Sequence, residues 1–100
     1  MQAQNPNAII GDIDAHIQKS GVTNPNWYVG VTSDIEARLF GDRRVPRENY
    51  CWICRRATSS DQARAVEDAY RRAGCKGSGG GGDDTAFYVY AYVITSQTAE

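Results

Sequence analysis

Trp27-Tyr28-Val29-Gly30-Val31-Thr32, followed by Ser33-Asp34-Ile35-Glu36-Ala37-Arg38-Leu39-Phe40-Gly41, is the stretch on which the fold of this chain turns. Its first six residues are aromatic, β-branched or glycine, a composition suited to a pleated strand. Asn24-Pro25-Asn26 just before them is a turn signal. After the strand, Ser33 or Thr32 can cap a short helix. Asp34 and Glu36 then fall near the positive end of its dipole, Ile35, Leu39 and Phe40 are its apolar residues, and Gly41 ends it.

Working outward toward the N-terminus, Asn5-Pro6 reads as an N-cap followed by proline at the first helical position, and Ile9, Ile10, Ile13 and Ile17 recur at helical spacing up to Gly21. The pattern predicts an amphipathic helix over 5–20 whose apolar stripe covers a sheet. His16, the only histidine, sits beside that stripe as a helix-surface residue. Toward the C-terminus, the polar segment from Asp42 to Glu48, with Pro46, predicts a loop. Tyr50 to Thr58 then predicts a second strand, with Tyr50, Trp52, Cys54 and Arg56 on one face and Cys51, Ile53 and Arg55 on the other. Ser59 or Ser60 begins a further helix carrying Ala63, Val66, Ala69, Tyr70 and Ala73 as its apolar stripe, stopped by Gly74.

Residues 76–84 hold Gly77-Ser78-Gly79-Gly80-Gly81-Gly82, too rich in glycine to hold one shape unaided, and are expected to be a flexible loop. Thr85 to Thr95 reads as a third strand with Tyr88, Tyr90 and Tyr92 on one face and Phe87, Val89, Ala91 and Val93 on the other. Two apolar faces imply a central strand. The expected fold is thus a single α/β (α+β) domain over 1–100: a small three-stranded antiparallel sheet flanked by about three helices.

Composition narrows the function classes. No apolar stretch is long enough to span a bilayer, and the N-terminus has no basic segment leading into an apolar run, so a cytoplasmic protein without membrane contact is expected. Cys51, Cys54 and Cys75 are an odd number, which suits free thiols in a reducing compartment. A formal net charge of -1 gives no general attraction to nucleic acid. The arginines are nevertheless crowded: Arg38, Arg43, Arg44, Arg47, Arg55 and Arg56 fall between positions 38 and 56. If they converge they form a local phosphate-binding surface; if not, they are a solvated face.

From Tyr28-Val29-Gly30 through the hydroxyl residue Thr32, the aliphatic Ile35 and then Arg38, the sequence resembles the second half of the motif of GIY-YIG endonucleases. The resemblance implies a GIY-YIG-like fold and a metal-dependent nuclease or phosphodiesterase, a hydrolase acting on DNA or RNA. Tyr28 and Arg38 would be catalytic, and Glu67 would bind Mg2+ or Mn2+. A tyrosine hydroxyl and a guanidinium could face one phosphodiester, the arginine gripping its oxygens bidentately. Equally, Tyr28 is accounted for as a core aromatic and Arg38 as a surface residue paired with Asp34. Glu67 borders its helix's apolar stripe, where a carboxylate needs either a metal or an arginine.

The family's first motif, a Gly-Ile-Tyr strand ahead of the Tyr-Ile-Gly strand, is missing; Gly21-Val22-Thr23 lacks the tyrosine. The basic residue that often follows the arginine helix is replaced by Asp42 or Arg43. Rearrangement could restore the sheet, with Phe87 to Val93 in the space of the missing strand and Tyr88, Tyr90 or Tyr92 supplying the phenol; Tyr90 is the candidate carried forward. Arg43, Arg44, Arg47, Arg55 and Arg56 are the candidate nucleic-acid-binding residues. The rival expectation is a catalytically inactive domain that binds nucleic acid or a protein partner.

Two other signals are weaker. Cys51 and Cys54 have Cys-x-x-Cys spacing, but on a strand they point to opposite faces and cannot share a metal or a disulfide. The glycine run before Asp83-Asp84 lacks the Gly-Lys-Ser/Thr ending of a nucleotide loop.

Overall fold

The computed structural model describes residues 1–47, 51–77 and 84–99. Tyr50 and the glycine run at 78–82, for which a strand start and a flexible loop are expected, lie outside the described residues.

The chain forms β1 (Ala3–Gln4), α1 (Pro6–Ser20), a 3-10 turn (Asn24–Asn26), β2 (Trp27–Thr32), a π-helix (Glu36–Asp42), β3 (Trp52–Ala57), α2 (Ser60–Arg72) and β4 (Tyr88–Val93). α1 starts where Asn5 stops it from fraying: the Asn5 side chain accepts from Ala8 N at 2.8 Å and Pro6 stands at the first turn. It ends on Gly21, whose φ of 75° lies in the left-handed region that glycine adopts without cost. Ser59 caps α2 by accepting from Gln62 N.

The four strands form one sheet in the order β1-β3-β4-β2. β4 is central and antiparallel to both neighbours; Tyr90 lies opposite Gly30 on one side and Cys54 on the other. The two apolar faces of residues 87–93 are thereby explained. The sheet differs from the expected three-stranded antiparallel one in that β1 adds a parallel edge to β3, with Ala3 opposite Arg56 and Gln4 opposite Ala57. Two residues, one of them polar, carry no alternation by which a strand could be read from sequence.

Alternation along the strands builds two cores. On one face, Trp27, Val29, Val31, Ile53, Val89 and Ala91 pack with α1 through Ile9, Ile13 and Ile17 and with α2 through Ala63, Val66 and Tyr70. His16 meets Trp27 edge-to-face at 5.8 Å, as a helix residue against the core. On the other face, Tyr28, Cys54, Tyr90 and Tyr92 pack under Leu39 and Val45, with Ile35, Phe40, Trp52 and Ile94 around them. Among the described residues no helix is long and apolar enough to cross a membrane.

Candidate functional site: a tyrosine and arginine cluster under the π-helix

Residues of one strand face alternate, so Tyr28 shares its face with Gly30, and Tyr90 and Tyr92 share theirs beside it. The three phenol rings stack, with centroids 5.3 Å apart for Tyr28 and Tyr92, 6.4 Å for Tyr28 and Tyr90, and 6.2 Å for Tyr90 and Tyr92. Gly30 makes this possible in an unexpected way. The sequence suggests that a backbone or a phosphate approaches it; the group that does is the Tyr90 phenol, whose Oη would lie 2.5 Å from a Cβ at Gly30.

The segment after β2 then brings in a guanidinium. Arg43 N donates to Arg38 O at 2.9 Å, a bond spanning five residues where an α-helix would span four. The extra residue per turn rotates Arg43 over the sheet. Its Nη2 donates to Tyr28 Oη at 3.2 Å, and its Cζ stands 4.8 Å from the Tyr28 ring centroid. It also hydrogen-bonds the Tyr90 hydroxyl. Burial disfavours the Arg43 charge, but the hydrogen bond to Tyr90 and the surrounding phenols outweigh it, and its pKa is raised. For Tyr90, burial dominates and raises the pKa, opposed by Arg43 and by the charge of Arg38. A short C-terminal segment ties the layer down: Ala99 N donates to Arg43 O at 2.8 Å, and Tyr92 Oη donates to Ala99 O at 3.0 Å.

Arg38 pairs with Asp42, Nε to Oδ2 at 3.2 Å, in place of the expected Asp34, whose carbonyl instead accepts from Arg38 N. The Arg38 side chain keeps 37% exposure and acts on Tyr90 electrostatically. Tyr28, Tyr90, Arg38 and Arg43 therefore belong to one neighbourhood. Glu67 does not join it. It is 1% exposed on α2, whose packing residues belong to the helix-covered core, and no α2 residue enters the tyrosine core. Among the described residues there is no group of three or more His, Cys, Asp or Glu that could hold a metal ion.

The remaining arginines disperse. Arg47 forks onto the Glu36 carboxylate and covers the Phe40 ring at 4.1 Å. Arg44, at φ 57°, is exposed in the same loop. Arg55 binds Asp12 of α1 at 2.9 Å and so serves the helical layer, while Arg56 is exposed near the β1 edge. The crowding in sequence does not become one basic surface. None of Cys51, Cys54 and Cys75 is in a disulfide. The role of Arg43 in the phenol cluster could not be read from the sequence, because nothing in 36–42 announces a five-residue turn. Compared with known protein families, curated proteins and solved structures, the chain matches none.

Proposed function

We propose that this chain is a phosphodiester-binding domain of the GIY-YIG kind, recognising nucleic acid through the end of its sheet where Tyr28, Tyr90, Arg38 and Arg43 meet. The observation that carries the reading is the convergence of two arginines on two stacked phenols. Guanidinium groups suit phosphate by charge and by their fork of donors, and phenol hydroxyls add neutral donors beside them. The pairing of β4 with β2 supports the same reading, since it sets a tyrosine against the Tyr28-Val29-Gly30 strand, as the missing first motif requires.

Fluorescence anisotropy with labelled single- and double-stranded DNA and RNA tests it. At low salt the wild type is expected to bind with micromolar affinity that weakens as salt rises, and Arg38→Ala to bind more weakly with a salt slope smaller by about one. Absence of binding to all four probes at low salt would sink the reading.

The presence of Tyr90 over Gly30 also favours a second reading, hydrolysis. In that version Glu67 would hold Mg2+ or Mn2+. A hydrated divalent ion needs room for waters beside its carboxylate, and Glu67 at 1% exposure gives little in this conformation, so binding is the reading with fewer requirements. A cleavage assay with magnesium or manganese decides between them. Hydrolysis needs cleavage that is lost in Glu67→Ala; equal residual cleavage by both proteins leaves binding alone.

A further inference from the structure

The polarity of the hydrogen bonds under the π-helix says what kind of atom the cluster is built to meet. An arginine has five N–H donors and no acceptor. Wherever Arg43 bonds Tyr28 or Tyr90, the phenol oxygen is therefore the acceptor, and the phenol's own proton points elsewhere. Among the described residues no acceptor takes either proton: the Tyr28 hydroxyl bonds only Arg43 Nη2, and the Tyr90 hydroxyl only the same guanidinium. A third donor is in the same state, since Arg43 Nε is buried with no hydrogen-bond partner. The Tyr92 hydroxyl differs, having Ala99 O as its acceptor.

Buried donors without acceptors are costly, about 1–3 kcal/mol each, and native folds rarely keep them without a reason. Here Arg43 Nε is such a donor, and beside it stand two phenols whose side chains are only 5% and 1% exposed and whose protons are not taken up by the guanidinium. What completes such a group is an oxygen with lone pairs and negative charge. We infer that Tyr28, Tyr90 and Arg43 form an oxyanion pocket, in which the two phenols donate to one non-bridging oxygen of a phosphate group while Arg43 holds their acceptor sides. The inference rests on the binding reading and deepens it. The phenols serve as proton-bearing donors in place of bases, and the ligand atom is a single oxygen, because the exposure of Tyr28 and Tyr90 leaves no room for a base or sugar. Burial of Tyr90, which keeps that phenol protonated, acts in the same direction.

The test exchanges donor and acceptor character at constant fold. Inorganic phosphate and a single-stranded oligonucleotide are titrated without divalent metal into the wild type, Tyr28→Phe, Tyr90→Phe, Arg43→Lys and Arg43→Gln, with the thermal midpoint of each variant measured alongside. Lysine, like arginine, only donates, so Arg43→Lys is expected to keep phosphate affinity within about threefold. Glutamine has a carbonyl that can accept a phenol proton and turn it away from the ligand, so Arg43→Gln is expected to lose about tenfold or more. Each Tyr→Phe change is expected to lose about tenfold, and the pair gives two independent readings if one of them folds poorly. Phosphate binding that is weakened in this pattern, with no oligonucleotide binding, supports the pocket and overturns the nucleic-acid reading. Oligonucleotide binding unchanged in both Tyr→Phe variants, or equal loss in Arg43→Lys and Arg43→Gln, overturns the pocket alone. Binding of neither probe, as when ordered water fills the place of the oxygen, overturns both.

Discussion

At the scale of single residues, Gly30 and Tyr90 are the most tightly interlocked pair on the phenol face. A Cβ on Gly30 would lie 2.5 Å from Tyr90 Oη and 2.6 Å from its Cζ, and Tyr90 is 1% exposed, so the ring has little space into which to retreat. Gly30→Ala is expected to cost about 1–3 kcal/mol, measured as the shift of a denaturant midpoint. Because the ring carbon is crowded as well as the oxygen, Tyr90→Phe should not rescue it, whereas Tyr90→Leu in the double variant should recover part of the loss. A neutral Gly30→Ala, or full rescue by Tyr90→Phe, would contradict the packing. That Gly30 admits a close approach is legible from its place in an otherwise bulky strand. What approaches is not, since its partner stands sixty positions further on and strand register is a long-range property. Arg43 is obscured for another reason: its role depends on one additional residue in a helical turn, and neither Gly41 nor its neighbours distinguish a five-residue from a four-residue repeat.

Among the elements, α1 was open to sequence reading at both ends and along its face, because capping and apolar periodicity are local chemistry. Asn5→Ala removes the bond to Ala8 N and is expected to lower stability by about 1 kcal/mol in denaturant unfolding; an unchanged midpoint would show that the cap contributes nothing. The polar side of the same helix also reaches the sheet. Asp12 accepts from Arg55 Nε and from Gln4 Nε2, joining α1, β3 and β1. The hydrogen bond from Arg55, followed by that from Gln4, holds the Asp12 carboxyl below 3.8. Its folded pKa being depressed, the contribution is present above about pH 3.8 and disappears as pH falls through the lower folded value. Asp12→Asn should therefore melt below the wild type at neutral pH, the two thermal midpoints converging under acid; a constant gap across that range would exclude the pair as its cause. β1 and this link were hidden in the sequence, since a two-residue strand has no period and an Asp to Arg contact 43 positions apart has no local mark.

For the molecule as a whole, the two-sided sheet sets how its thiols meet solvent. Burial raises the pKa of Cys54, and burial with the nearby Asp14 raises that of Cys75 to about 11, while Cys51 is only half-buried. Native protein treated with a thiol reagent at mildly alkaline pH is expected to react first at Cys51, with Cys54 and Cys75 following only as the fold opens. Equal rates at all three positions would mean that the cores are not closed. The same layered arrangement has a temporal side. β2 and β3 never pair with each other; both pair with β4, which follows them by more than thirty residues. No local hairpin can seed this sheet, and a chain ending at Gly77 is expected to show little β signal in far-ultraviolet circular dichroism, with native-like strand content in that fragment as the contrary result. During synthesis on a ribosome, two strands with apolar faces must therefore wait, unpaired with each other, for the segment that will separate and join them.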